Sequence, residues 1–97
     1  MLPLVLPPEF RVPRYHFNVE DGRSIPDPEG TELPGLESAR REAVRMAGRL
    51  MEDDPAHFWS TGAWSVVVTD DADRTLFILD FRARDGAAPS AAVPAGG

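Results

Sequence analysis

The sequence contains no cysteine, no lysine and no long apolar run. Without cysteine the chain can form neither disulfides nor thiolate metal sites, which is typical of a reducing compartment. The apolar start, MLPLVLPPEF, has no basic leader and is interrupted by three prolines, so we expect no cleaved signal. No segment approaches the roughly 20 apolar residues of a membrane span. We therefore expect a cytoplasmic protein that is not embedded in a membrane.

All ten basic residues are arginines. Sixteen residues are acidic, so the formal net charge is −6. A surplus of negative charge disfavours nucleic acid and anionic membranes as main partners, because their phosphates attract basic surfaces. The remaining partner classes are another protein or a second copy of this chain.

Proline, alanine and glycine are concentrated at the two ends of the 97-residue chain. We therefore expect an extended arm over residues 1–12, a single domain over 13–83 and a disordered tail over 84–97. The arm is also apolar, so it is either a solvated tail or a segment that docks on the domain or on a partner. A folded part of about 70 residues has a small core, and such domains are often stabilised by self-association.

One segment has a clear helical period, LESARREAVRMAGRLME from Leu36 to Glu52. Its apolar residues fall on one arc and its charged residues on the other, which predicts one amphipathic helix. Pro55 should end this helix near Asp53. We expect the next residues, DPAHFWSTG, to form a loop with two large aromatic side chains, Phe58 and Trp59.

Alternating apolar and polar residues indicate strands on both sides of the helix. The predicted strands are, in chain order, 14–20, a short strand within 23–25 or 31–33, 63–69 and 74–82. A polar turn, with three aspartates among Asp70 to Asp73, should connect the last two. The prediction is an α+β fold in which a three- to four-stranded, mainly antiparallel sheet carries one helix on one face, in the order β-β-α-β-β.

A single helix covers one face of such a sheet and leaves the other face bare. The bare face would keep Val67, Leu76 and Ile78 among polar neighbours, and these residues together with Phe58 and Trp59 form our candidate interaction surface. The arm, the aromatic loop or a second copy of the protein are the alternatives for covering it.

Three pieces of the sequence resemble a known family: PRYHF, the D-x-E-G-x-E-L-P segment before the helix, and the W-S-V-x-V-T-D hairpin strand. Over roughly residues 13–82 the chain is similar to the small bacterial domains of unknown function numbered 6894 (DUF6894). The resemblance implies a compact α+β domain and carries no activity. The chain departs from the family's D-x-x-G-R turn, because Asp73 stands where that pattern has glycine.

The candidate chemical groups favour structural roles. His16 and His57 lack a second ligand at metal spacing, so we expect no metal and no cofactor. His16 lies on the polar face of the first strand, where we expect a surface or interface residue. The acidic turn lacks the glycine and distal glutamate of a calcium loop.

Arg40 breaks the helical pattern, because it lies within the apolar arc. A guanidinium removed from water needs a partner. We therefore expect a structural ion pair between Arg40 and one of three carboxylates, namely Asp27, Glu29 or Asp80, and the alternative is an anion or partner site.

These observations favour a small non-enzymatic protein, an accessory or protein-interaction module, with self-association as one form of the interaction. The alternative is an antitoxin-like or nucleic-acid-binding regulator, since strand-strand-helix-strand orders occur in such folds, but this rests on fold analogy. We disfavour an enzyme, because so small a domain with one helix can scarcely supply a cleft.

Overall fold

The computed structural model describes residues 12–88, and the α+β fold expected from the sequence is confirmed. The elements are, in chain order, β1 (Arg14–Glu20), β2 (Ser24–Ile25), β3 (Thr31–Glu32), α1 (Leu36–Asp53), α2 (Pro55–Thr61), β4 (Ala63–Thr69) and β5 (Thr75–Arg82). Most of the predicted arm (1–12) and of the predicted tail (84–97) lies outside the described residues. Neither helix within 12–88 has both the length and the apolar content to cross a membrane.

The sheet is antiparallel and has the order β2-β1-β4-β5, and β3 pairs with β1 as well. β2 pairs with Val19 and Glu20, whereas β3 pairs with Arg14 and Tyr15. The two short strands thus pair with the two ends of β1, whereas the sequence predicts a single short strand at one of these two positions. β4 is the central long strand, paired with β1 on one side and β5 on the other.

The core lies between α1 and one face of the sheet. Its buried sheet residues are Tyr15, Phe17, Val19, Trp64, Val66 and Val68, as the strand alternation predicts. The helix contributes a narrow stripe of Ala39, Ala43 and Ala47, which are 0–2% exposed. Alanine has only a methyl side chain, so α1 lies close to the sheet, and the flanks of its apolar arc, Leu36 and Val44, stay exposed.

The prediction of a loop between the helix and the hairpin is wrong, because residues Pro55–Thr61 form the short helix α2. The Asp54 side chain accepts a hydrogen bond from the His57 N–H at 3.1 Å, and Pro55 occupies the first turn. Gly62 ends the helix with a φ of 76°, a left-handed conformation that suits glycine. Asp before Pro is an N-terminal capping signal for a new helix as well as a stop for the helix before it.

The predicted polar turn between β4 and β5 is built around Asp70. Its carboxylate accepts hydrogen bonds from the backbone N–H groups of Ala72 and Arg74 at 2.9 and 3.0 Å and from the Arg74 guanidinium at 2.8 Å. The N–H of Arg74 is the first of the contacts that lower the pKa of Asp70. Asp73 has a φ of 61°, so this residue adopts the left-handed conformation for which the family pattern uses glycine.

Candidate functional site

Five polar residues meet on the sheet face opposite α1, beside the β4–β5 turn, and we call them the polar cluster: His16, Asn18, Asp27, Thr69 and Asp71. The His16 imidazole lies between two acceptors, the Asp71 carboxylate 2.8 Å from Nε2 and the Asp27 carbonyl oxygen 2.8 Å from Nδ1. Both contacts are satisfied at once only when both ring nitrogens carry a proton. The hydrogen bond with Asp71 and then that with Asp27 raise the pKa of His16 above its ordinary value of 6.5.

Asp27 fills the gap between β2 and β3 along β1. Its carboxylate accepts from the backbone N–H groups of Phe17 and Gly30, each at 3.1 Å. Its own N–H donates to Asn18 Oδ1 at 3.0 Å. Asp27 therefore supplies the sheet-like hydrogen bond that β1 needs where neither short strand reaches it.

Asn18 connects this segment to β4. Its side-chain amide donates to the Val67 carbonyl at 2.9 Å and to the Thr69 hydroxyl at 3.2 Å. Asn18 thus uses both ends of its amide, and the cluster joins β1, the segment after β2, and the start of the β4–β5 turn.

Gly30 allows the chain to pass close to His16. It has a φ of 71°, and a Cβ at this position would lie 2.9 Å from His16 Cε1 and 2.9 Å from Arg14 Cγ. Arg14 then holds the same segment, since its guanidinium donates to the Glu29 carbonyl at 2.9 Å and to the Glu32 carboxylate at 2.8 Å. The PRYHF and D-x-E-G-x-E-L-P pieces of the sequence therefore contact each other directly.

A shallow cavity of about 260 Å³ lies against the cluster, and Asp70, Asp71 and Asp73 line its turn side. No arginine lines it, so it disfavours anions. Within residues 12–88 no group of three or more His, Asp or Glu side chains is arranged to hold a metal ion. His16 has no free ring nitrogen for abstracting a proton or binding a metal, which favours a structural role for this residue.

We expect the free energy of unfolding to fall as the pH rises from 6.5 through the raised pKa of His16. A histidine whose pKa is raised by folding stabilises the folded state fully when the pH lies below its pKa in the unfolded chain. This stabilisation is lost as the pH rises through its pKa in the folded protein. The charged groups that face His16 are acidic: Asp71 directly, and Asp27, Asp70 and Asp73 around the cavity.

Urea unfolding between pH 6 and pH 8, followed by tryptophan fluorescence, measures this effect. A His16→Gln variant should have a flatter pH profile than the wild type. Equal slopes in the wild type and His16→Gln would contradict the prediction.

The second candidate surface is the helix-free side of the sheet, which we call the open face and define by Val67, Leu76 and Ile78. Val67 pairs with Ile78 across β4 and β5. Leu76 is 40% and Ile78 54% exposed, whereas Val67 is only partly accessible. The structure therefore brings these three predicted residues together, and nothing within residues 12–88 covers the two on β5.

The other two predicted surface residues lie apart from the open face, on α2. Phe58 packs edge-on against Trp64, with ring centroids 5.2 Å apart, so it belongs to the edge of the core. Trp59 is 68% exposed. The predicted surface thus divides into an open face and a single exposed tryptophan.

Sequence reasoning missed a buried carboxylate next to α2. Asp21, 8% exposed, accepts from the Arg23 N–H at 3.3 Å and lies 3.5 Å from His57 Nε2. A histidine in α2 pairs with this turn only after folding, so no local pattern could reveal it.

The predicted ion pair of Arg40 with Asp27, Glu29 or Asp80 is wrong for these described residues. Arg40 is exposed beside Leu36 and Val44, because the alanine stripe, not the full apolar arc, faces the sheet. The three carboxylate residues are engaged elsewhere. Asp27 binds backbone, Glu29 accepts through its carbonyl from Arg14, and the Asp80 carboxylate accepts from the Ser65 hydroxyl at 2.6 Å.

Comparison with known proteins finds one matching family. The model of a family described as a domain of unknown function (DUF6894) matches residues 14–82. No curated protein and no solved structure matches the chain. The matched segment contains the polar cluster, the open face and both helices.

Proposed function

We propose that this chain, which belongs to the DUF6894 family of domains of unknown function, is a non-enzymatic protein-interaction module that self-associates through the part of its sheet that α1 leaves uncovered. The exposure of Leu76 and Ile78, at 40% and 54%, is the observation that carries the proposal. Apolar side chains grouped on a sheet face next to polar neighbours are typical of interaction surfaces.

The polar cluster supports a non-catalytic role. Its side chains bind one another and the backbone: His16 is held by Asp71 and Asp27, and Asn18 by β4. A general base or a nucleophile needs a free atom that faces the substrate. The cluster instead holds together the part of the sheet from which β4 and β5 extend.

Charge favours a protein partner over the alternative of a nucleic-acid-binding or antitoxin-like regulator. The arginines on the outer side of α1 are partly neutralised, since Arg41 lies 3.2 Å from Glu37 and Arg49 lies 3.1 Å from Glu42. With a net charge of −6, the chain offers phosphates little attraction. A cytoplasmic location stays a prediction from the sequence.

The test is the molecular mass in solution, measured by light scattering from micromolar to near-millimolar concentration. We expect the wild type to approach twice its chain mass of 10.6 kDa. The double variant Leu76→Glu, Ile78→Glu should stay at the mass of one chain, because burying either carboxylate in an interface costs several kcal/mol.

Val44→Glu is the matched control. Val44 is 58% exposed on α1, away from the open face, so this variant places the same charge on an exposed apolar position and should associate like the wild type. Circular dichroism checks that all variants are folded. A wild type that is monomeric at every concentration, or a double variant that associates as well as the wild type, would refute the proposal.

A further inference from the structure

β5 has the composition of an interior strand although it lies at the edge of the sheet. It carries Phe77, Leu79 and Phe81 on the helix side and Leu76 and Ile78 on the open face. Strands with apolar residues on both faces are typical of sheet interiors. Yet β5 is the last strand in the order β2-β1-β4-β5, and within residues 12–88 no strand pairs with its outer edge.

The helix side of β5 is also incompletely covered. The corresponding residues of β4, such as Val66 and Val68, are 0–2% exposed, whereas Phe77, Leu79 and Phe81 are only partly buried at the margin of the core. The edge also has little protection against pairing beyond the irregularity beside Thr69 and the terminal Arg82. β5 contains no proline, and its one acidic residue, Asp80, is held by Ser65 at 2.6 Å.

We infer that a second copy of this chain pairs antiparallel with the outer edge of β5, so that the two sheets become one continuous sheet. This inference rests on the proposed self-association and places the contact at the edge of β5, where Leu76 and Ile78 become cross-strand neighbours of the partner's β5. The strand edge supplies the main-chain hydrogen bonds, and the partly covered helix-side residues of the two copies form one apolar layer.

The sequence of β5 is self-complementary around Leu79. A two-fold axis at Leu79 places Leu79 opposite Leu79 of the partner subunit, and Phe77 opposite Phe81 of the partner subunit. On the other side of the sheet it places Ile78 opposite Asp80 of the partner subunit. Aromatic and aliphatic cross-strand pairs of this kind stabilise antiparallel sheets.

Neighbouring registers are less favourable. An axis at Asp80 would place two copies of this carboxylate directly opposite each other. Like charges directly opposite are destabilising. An axis at Ile78 would place Phe81 opposite Thr75 of the partner subunit, so the aromatic pair would be lost. A register centred on Phe77 would run into the irregularity at the start of β5, where the ladder shifts between Val68 and Thr69.

Disulfide trapping tests the inference, because the chain has no cysteine of its own. In the proposed pairing the two Cα atoms of residue 79 lie about 4.5–5.5 Å apart, within the range of about 4.4–6.8 Å that a disulfide spans. A Leu79→Cys variant, mildly oxidised at a concentration where the wild type is dimeric, should convert mostly to a covalent dimer.

Val67→Cys is the matched control, because Val67 lies on β4 and belongs to the open face. In the proposed dimer the two β4 strands are three strand spacings apart, about 14 Å, so this variant should not cross-link. If the open faces stack on each other instead, Val67→Cys cross-links and Leu79→Cys does not. That result overturns the inference and leaves the proposed function standing.

A second pair of variants serves if Leu79→Cys does not fold. Ile78→Cys mixed with Asp80→Cys substitutes two exposed positions that lie opposite each other in the proposed register. The mixture should give the mixed dimer in preference to either homodimer, as measured by mass spectrometry, and equal yields would overturn the register. A monomeric wild type would overturn both the inference and the proposed function. The edge of β5 would then have to pair with another segment or another protein.

Discussion

Replacing Asp27 by alanine should lower the free energy of unfolding by about 2–4 kcal/mol, since the variant loses two hydrogen bonds to a charged acceptor. The carboxylate of Asp27 accepts from the N–H groups of Phe17 and Gly30, each at 3.1 Å. Phe17 is 3% exposed, so its N–H has little access to water as a substitute. Urea unfolding followed by tryptophan fluorescence measures the loss, because Trp64 is buried in the core.

Two variants separate this role of Asp27 from a general effect of charge. Glu29→Ala removes a neighbouring carboxylate whose residue binds Arg14 only through its backbone carbonyl, so its stability should stay near that of the wild type. Asp27→Asn should be intermediate, because the amide offers one acceptor and turns an NH₂ group toward the second N–H donor. Equal stability of Asp27→Ala and Glu29→Ala would mean that the Asp27 carboxylate does not hold β1 through these hydrogen bonds.

Replacing Ala43 by leucine should destabilise the fold by about 3 kcal/mol, at the upper end of what overpacking a core costs. Ala43 is 0% exposed and is the middle residue of the stripe through which α1 contacts the sheet. Three additional carbon atoms at this position would push the helix away from the core residues of the sheet, which include Phe17 and Val68. The lifted helix would then loosen the contacts of Ala39 and Ala47 as well.

Val44→Leu is the control for this prediction. It places the same side chain one residue further along α1, at a position that is 58% exposed, and leucine favours helix slightly over valine. Thermal unfolding by circular dichroism should therefore show a large drop in midpoint for Ala43→Leu and almost none for Val44→Leu. Similar midpoints for the two variants would mean that α1 does not pack through its alanine stripe.

The element types were predictable because local periodicity determines them. The alternation in β1 and β4 placed their buried residues correctly, and the amphipathic pattern with Pro55 placed the end of α1. Helix α2 was missed, although Asp54 and Pro55 are a capping signal, since its few residues form too short a segment for a period to appear.

The polar cluster was only partly predictable, because its members come from distant parts of the sequence. His16 was correctly placed on the polar face of β1, whereas Asp27 was predicted only as a possible partner of Arg40. Their contacts with each other and with Asp71 depend on the pairing of β1 with β4, which no local pattern specifies.

The sequence alone thus predicted the class of fold and the strands and helix that have strong periods. It also predicted that β5 carries apolar residues on the side of the sheet without a helix. These follow from short-range geometry, in which each residue's face depends on its near neighbours. The order of strands, the closeness of α1 to the sheet and the exposure of Arg40 followed from packing instead. Helix and sheet approach through their smallest side chains, and here three alanines decide which part of a wider apolar arc is buried.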